Sequence, residues 1–253
     1  MRSFRFWLFA VLAGLLGVAV YYVLVRQEAV DTFRRPIISD SSITRLILVE
    51  TPDFASSEAT IKTFERPGAD GAWQLVGEPA KAMIGRAGVG WAYTQREMAK
   101  GDEPIKQEGD KRAPAGLFRM GASFGAGPEA WSGYMQLTEG QQFCVDDVGS
   151  PKYGEIVAAD EVEPGVSGEK MWEIGLYRRG LVVDYPTDRK AKTGSCIFIH
   201  VWKTPETPTV GCVAAAEETV ERLQEFVNAD RQAAAIAIVP SQALGRLGLN
   251  LPR

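Results

Sequence analysis

The sequence predicts a mainly β domain with one or few helices, an α+β fold. Three observations support this class. Short runs rich in β-branched residues recur along the chain, turn-forming segments rich in Gly and Pro separate them, and one late segment has helical periodicity. The chain has 253 residues, and the part that follows its apolar N-terminus has a length typical of one domain.

The predicted strands follow one another along most of the chain. Residues 67–71 (PGADG) predict a hairpin turn, and residues 85–88 predict a second turn. Residues 100–116 are polar and rich in Gly and Pro, which predicts a loop. Strands are predicted at 46–49, 61–66, 73–76, 117–120, 134–137, 172–177, 181–185, 195–201 and 233–239.

One helix is predicted over residues 215–228. Val220, Leu223 and Val227 recur there at offsets of three and four, the spacing of one helix face. Three glutamates crowd the start of this segment, where the helix dipole favours negative charge.

The N-terminus predicts a membrane anchor. Arg2 and Arg5 precede an uncharged apolar run over residues 6–25, and a twenty-residue helix of ~1.5 Å rise spans ~30 Å, the thickness of a bilayer core. We therefore expect a transmembrane signal-anchor over 1–25 and a polar tether over 26–42; a cleaved signal peptide is the alternative. The expected localisation is the inner membrane, crossed once, with the rest of the chain in the periplasm.

Beyond the tether we expect a catalytic domain over 43–240 and a C-terminal tail over 241–253. A net charge of −4 argues against nucleic acid as a partner, because no basic face is evident. One histidine and three scattered cysteines do not have the spacing of a metal site, so we predict neither a metal nor another cofactor.

A candidate catalytic pair lies late in the chain. His200 ends the predicted strand 195–201, and Cys212 follows Gly211 shortly before the predicted helix. A cysteine near a helix N-terminus is expected to have a lowered pKa, and the amides of Gly211 and Cys212 could form an oxyanion hole. The alternatives are that Cys212 is a buried apolar residue and that His200 is structural.

The surrounding residues resemble a known family. Residues 194–200 (GSCIFIH) and 209–213 (TVGCV) resemble the catalytic domain of the L,D-transpeptidases, the YkuD-like family. Residues 108–118 (EGDKRAPAGLF) resemble that family's Thr-Pro-x-Gly-x-Phe segment, and the resemblance covers roughly residues 43–240. The order of His before Cys also fits this family and opposes a papain-like protease.

The resemblance implies a β-sandwich domain that forms 3→3 cross-links between peptidoglycan stem peptides through a thioester. Cys212 would be the nucleophile, His200 the general base, and Thr209, Val210 and Gly211 would position the substrate or its oxyanion. An L,D-carboxypeptidase or amidase that uses water, or a non-catalytic wall-binding module, is the alternative.

The chain departs from the family pattern at three positions: Val210 stands where the family has histidine, Ala214 where it commonly has arginine, and Ala113 where it has threonine.

Two further questions stay open at the level of sequence. The group that orients His200 is either a backbone carbonyl, as is common in the family, or the side chain of Asp184 or Asp188. Cys144 and Cys196 form either a disulfide, which leaves Cys212 free, or two buried thiols.

Overall fold

The computed structural model describes residues 42–252, and strands dominate this part of the chain. One α-helix, α1 (Glu217–Ala229), accompanies thirteen strands within these residues. The strands are β1 (Arg45–Thr51), β2 (Glu58–Glu65), β3 (Gln74–Met83), β4 (Val89–Trp91), β5 (Ala113–Gly125), β6 (Met135–Gln136), β7 (Phe143–Val145), β8 (Ile156–Val157), β9 (Gly168–Lys170), β10 (Arg179–Asp184), β11 (Phe198–Val201), β12 (Val213–Ala215) and β13 (Ala234–Pro240).

Eight of these strands form a sheet that closes on itself like a barrel. The order is β10, β11, β12, β3, β2, β1, β13 and β5, and β5 pairs again with β10. The β11–β12 and β1–β13 pairs are parallel, whereas the other pairs of this ring are antiparallel. The predicted mainly β, α+β class is confirmed.

Three short strands form a separate small sheet in the order β8, β7, β9. β4 and β6 pair in parallel with the two ends of the long strand β5. Short 3₁₀ segments lie between or after these elements at Tyr93–Met98, Ala159–Glu161, Met171–Glu173, Gly175–Arg178, Arg231–Ala233 and Ser241–Leu247.

Helix α1 packs one face on the closed sheet. Val220, Leu223 and Val227 are buried there, as their spacing predicts. The buried Gln224 side chain donates from Nε2 to the carbonyl of Phe124 at 2.9 Å and to that of Gly180 at 2.8 Å. These two bonds satisfy backbone acceptors of β5 and β10 and so fix the helix on that part of the sheet.

Two of the predicted elements are wrong. The segment 172–177 is not a strand: it lies in the 3₁₀ turns Met171–Glu173 and Gly175–Arg178. The segment 100–116 is not entirely a loop, because β5 already begins at Ala113.

The predicted inner-membrane localisation is also corrected. Among residues 42–252, no helix combines the length and the apolar character needed to cross a bilayer. The predicted anchor over 1–25 and all of the predicted tether except Ser42 lie outside the described residues.

Candidate active site

Cys212 and His200 meet at one cavity although they come from different segments of the chain. His200 lies opposite Ala214 in the parallel β11–β12 pair. Cys212 lies in the bend directly before β12, which begins at Val213. The side chains of His200, Cys212 and Ala214 all line the same cavity.

His200 is held in the tautomer that a general base requires. Its Nδ1 lies 2.8 Å from the carbonyl oxygen of Val201, and because a carbonyl only accepts, Nδ1 carries the proton. Nε2 is therefore the basic nitrogen. Burial lowers the pKa of His200, so the imidazole is neutral at neutral pH. The backbone-carbonyl alternative is the observed one, and the carboxylate of Asp188 instead caps its own turn.

Cys212 is a buried thiol rather than an exposed thiolate. Its side chain is 5 % exposed, and Sγ lies 3.4 Å from the carbonyl of Cys196. Burial, followed by the negative charge of Glu169, raises the pKa of this thiol to about 12. The prediction of a lowered pKa is wrong, because β12 separates Cys212 from the start of α1 at Glu217.

The hydroxyl of Thr209 holds the loop that leads to Cys212. Its Oγ1 accepts from the amide of Gly211 at 3.1 Å and donates to the carbonyl of Cys212 at 2.6 Å. Gly211 has a φ of +153°, and a Cβ there would lie 3.2 Å from the carbonyl oxygen of Arg112. Because Thr209 already occupies the Gly211 amide, the amide of Cys212 is the better candidate for an oxyanion donor.

Two cavities meet at Cys212. The cavity that contains His200 has a volume of about 240 Å³ and is mostly apolar, with Ile174, Leu176, Tyr177 and Pro208 in its wall. The other has a volume of about 210 Å³ and is strongly charged, with walls that include Arg86, Lys106, Glu108, Lys111 and Asp146.

Three residues line both cavities: Cys212, Glu169 and Val210. Val210 is 62 % exposed and stands at the rim. Cys212 therefore borders two cavities, and these cavities differ in polarity.

Tyr177 and Glu169 belong to the site although the sequence did not indicate them. The Tyr177 hydroxyl donates to Oε2 of Glu169 at 2.6 Å and also contacts the thiol of Cys212. The ring of Tyr177 packs on His200, with centroids 5.2 Å apart. Burial is the main cause that raises the pKa of Glu169 to about 7, and the nearby carboxylates of Asp146 and Glu108 add to it.

The segment 108–118, which carries part of the family resemblance, contributes Glu108 to the charged cavity beside Cys212. Oε2 of Glu108 accepts from the hydroxyls of Tyr153 and Ser195, each at 2.6 Å. The Tyr153 oxygen in turn accepts from the amide of Gly194 at 2.9 Å. These bonds join residues 108–118 to the segment that precedes His200.

A disulfide joins Cys144 to Cys196, with Cα atoms 6.0 Å apart, and leaves Cys212 as the free cysteine. Cys144 is the strand partner of Glu169 in the β7–β9 pair, and the Cys196 carbonyl contacts the Cys212 thiol. The bond thus ties the small sheet that carries Glu169 to the backbone beside Cys212.

Within residues 42–252, no group of three or more His, Cys, Asp or Glu side chains is arranged to hold a metal ion. Comparison of the chain with family models, curated proteins and solved structures finds no match.

Proposed function

We propose that this protein is a peptidoglycan L,D-transpeptidase, with Cys212 as nucleophile and His200 as general base. The observation that carries the proposal is the position of Cys212 between two separate cavities, one of which contains His200. A transferase needs room for a donor and for an acceptor on the two sides of one reacting atom. On this proposal the closed sheet is the counterpart of the family's β-sandwich.

Acylation begins with a neutral thiol and a neutral imidazole. Because the pKa of Cys212 is raised and that of His200 is lowered, the ion pair is not the resting state. Sγ attacks the carbonyl carbon of the third, diamino-acid residue of a tetrapeptide stem while its proton passes to Nε2 of His200. The bond to the terminal D-alanine breaks, and the imidazolium gives its proton to the leaving amine.

Deacylation reverses the roles of the two groups. A side-chain amine of a second stem attacks the thioester, loses a proton to Nε2 of His200 and forms the 3→3 amide bond. The Cys212 sulfur leaves and takes that proton back. The leaving amine and the attacking amine both need His200, so we place them in the apolar cavity and place the donor peptide in the charged one.

The apolar wall of the His200 cavity favours an amine over water as the acceptor. Ile174, Leu176 and Pro208 offer no hydrogen bonds that would hold a water molecule beside the thioester. Hydrolysis to a tripeptide is therefore expected as the minor outcome.

The test is incubation of the full chain with disaccharide-tetrapeptides, with the products read by mass spectrometry. We expect loss of D-alanine and cross-linked dimers in the wild type, none with Cys212→Ala, and rates about 10²- to 10⁴-fold lower with His200→Gln. Glu173→Gln, at an exposed position, is the matched control and should retain full activity. Tripeptide monomers alone would point to the carboxypeptidase, and intact substrate with every protein would remove the proposal.

A further inference from the structure

We propose that Tyr177 and Glu169 form a second proton-bearing arm at the nucleophile, in which protonated Glu169 frees the Tyr177 hydroxyl to donate to the sulfur of Cys212. The role of this arm in turnover rests on the proposed function, whereas its effect on the thiol does not. Tyr177 touches the reacting sulfur and is a catalytic residue. Glu169 acts through Tyr177 and is a positioning residue.

The Tyr177 hydroxyl has one proton to donate and two neighbours that could accept it. That oxygen lies 2.6 Å from Oε2 of Glu169 and also interacts with the Cys212 thiol, which lines the same cavity. A hydroxyl donates one hydrogen bond at a time. The phenol stays protonated, because burial raises the pKa of Tyr177 well above its ordinary value. The only choice left is which neighbour receives the proton.

The protonation state of Glu169 makes that choice. An ionised carboxylate only accepts, so it holds the Tyr177 hydrogen and also repels a thiolate at Cys212. A protonated carboxyl donates its own hydrogen to the Tyr177 oxygen, which turns the phenol hydrogen toward Sγ. In this form the developing thiolate gains a donor and loses a neighbouring negative charge.

The charges around Glu169 keep both forms accessible near neutral pH. Asp146 and Glu108 on the charged side disfavour its ionisation, together with burial, and its pKa rises to about 7. Lys106, the most buried cation of that cavity, is already paired with Asp110 at 2.7 Å. The other charged or titratable groups of the two cavity walls are Arg86, Lys111, Lys203 and His200.

The arm supplies a hydrogen-bond donor to the negative charge that the buried sulfur of Cys212 develops when it loses its proton. When Cys212 gives its proton to Nε2 of His200, charge appears on a sulfur that is almost fully removed from water. The Tyr177 hydroxyl can stabilise that charge without transferring its proton. After the sulfur attacks the carbonyl carbon and the charge moves to the carbonyl oxygen, the hydroxyl can return to Glu169.

The test measures alkylation of Cys212 by iodoacetamide in the full chain from pH 5.5 to pH 10, followed by intact mass. Since the chain has three cysteines and two form the disulfide, a single label reports Cys212. At pH 8.5 we expect Glu169→Gln to react about tenfold faster than wild type, because its amide donates to Tyr177 without carrying charge. We expect Tyr177→Phe to react about tenfold slower.

The shape of the pH profile separates this arm from a packing effect. The ratio of the Glu169→Gln rate to the wild-type rate should fall as the pH is lowered from 8.5 toward 7, where Glu169 takes up its proton, whereas damage to packing would leave that ratio unchanged. The matched controls are Glu173→Gln and Tyr134→Phe, whose hydroxyl bonds to Gly127, and both should follow the wild type.

Equal rates for Glu169→Gln and wild type at pH 8.5 would overturn the inference, as would an unchanged Tyr177→Phe. If Tyr177→Phe fails to fold, the pH dependence of the ratio of the Glu169→Gln rate to the wild-type rate decides. Because the assay contains no peptidoglycan, the outcome is independent of the proposed reaction. If Glu169→Gln is alkylated faster and Tyr177→Phe slower but no cross-links form, the arm stands and the transpeptidase proposal fails. If cross-links form without these changes in alkylation rate, the transpeptidase proposal stands and the arm fails.

Discussion

Two partly buried carboxylates of this protein, Glu103 and Glu169, have partners of opposite character. Glu103 is 15 % exposed and forms a bidentate ion pair with Arg246, and it also accepts from the indole of Trp91 at 2.9 Å. Hydrogen bonds from Arg246 are the first cause that lowers its pKa, to about 2. Glu169 has a phenol instead of a cation as its partner, and its pKa rises to about 7.

The different partners of Glu103 and Glu169 indicate different roles for the two carboxylates. The guanidinium of Arg246 keeps Glu103 ionised at every ordinary pH, so that this carboxylate acts only as a structural tie between the C-terminal turn and the loop before β5. Glu169 lies beside Cys212 and has no such cation as its partner, so its charge can change near neutral pH. A strongly perturbed group in a cleft is where function is expected.

The largest change in stability is expected when the small sheet that carries Glu169 is released from its disulfide. Replacing both Cys144 and Cys196 with serine opens a loop with a sequence separation of 52 residues. The lost chain constraint should lower the free energy of unfolding by about 4 kcal/mol, measured by urea denaturation. The acid-range stability due to Glu103 should persist in this variant. A loss below about 1 kcal/mol would show that the small sheet is held by its packing alone.

Removing the cation from the paired site should have the next largest effect. Arg246→Met leaves the half-buried Glu103 charge without its partner, which we expect to destabilise the fold by about 2 kcal/mol at pH 7. Since the folded-state pKa of Glu103 is depressed, the wild type keeps this stability above pH 4.5 and loses it as the pH falls toward 2.

The variant should lack that acid-range loss in denaturation curves taken between pH 2 and pH 5. Adding Glu103→Gln to Arg246→Met should recover most of the lost stability, because no unpaired charge then remains. A double variant as unstable as the single one would mean that packing of the Arg246 side chain, which lies over the Trp91 ring, outweighs its charge.

Glu169 should show the opposite pH dependence. Its folded-state pKa is raised above the ordinary value of 4.5, so its contribution to stability is full below pH 4.5 and is lost as the pH rises through about 7. Glu169→Gln should therefore be more stable than wild type by about 1.5 kcal/mol at pH 8.5, a figure reduced for partial exposure, and equal to it at pH 4. Thermal denaturation at the two pH values checks this. A variant less stable at both would contradict the assignment.

The sequence predicted the parts of this fold that depend on local pattern. The apolar run at 46–49 lies inside β1, and the helical spacing at 215–228 matches α1, because each pattern matches the period of its element. The segment 172–177 has apolar residues at alternate positions, which favours a strand. Trp172, Ile174 and Leu176 instead pack against one core cluster from consecutive turns.

The candidate site was predictable only in part for the same reason. His200 and Cys212 carry a local motif, and both line one cavity. The partnership of Tyr177 with Glu169 and the raised pKa of the thiol arise from chain segments that meet only in the folded protein. The helix that was expected to lower the thiol pKa begins after β12, so its dipole does not act at Cys212.

The smallest predicted effect comes from placing an exposed cation at the rim of the two cavities, near Glu169 and Cys212. Val210 lines both cavities beside Glu169 and Cys212 and is 62 % exposed, so Val210→Lys adds a mobile, hydrated charge. We expect alkylation of Cys212 at pH 8.5 to rise about threefold at low salt and to return to the wild-type rate at 0.5 M salt, since exposed charges are screened. Val210→Met, which adds length without charge, is the control. A salt-insensitive increase shared by both variants would assign the effect to access rather than to the charge added beside Glu169 and Cys212.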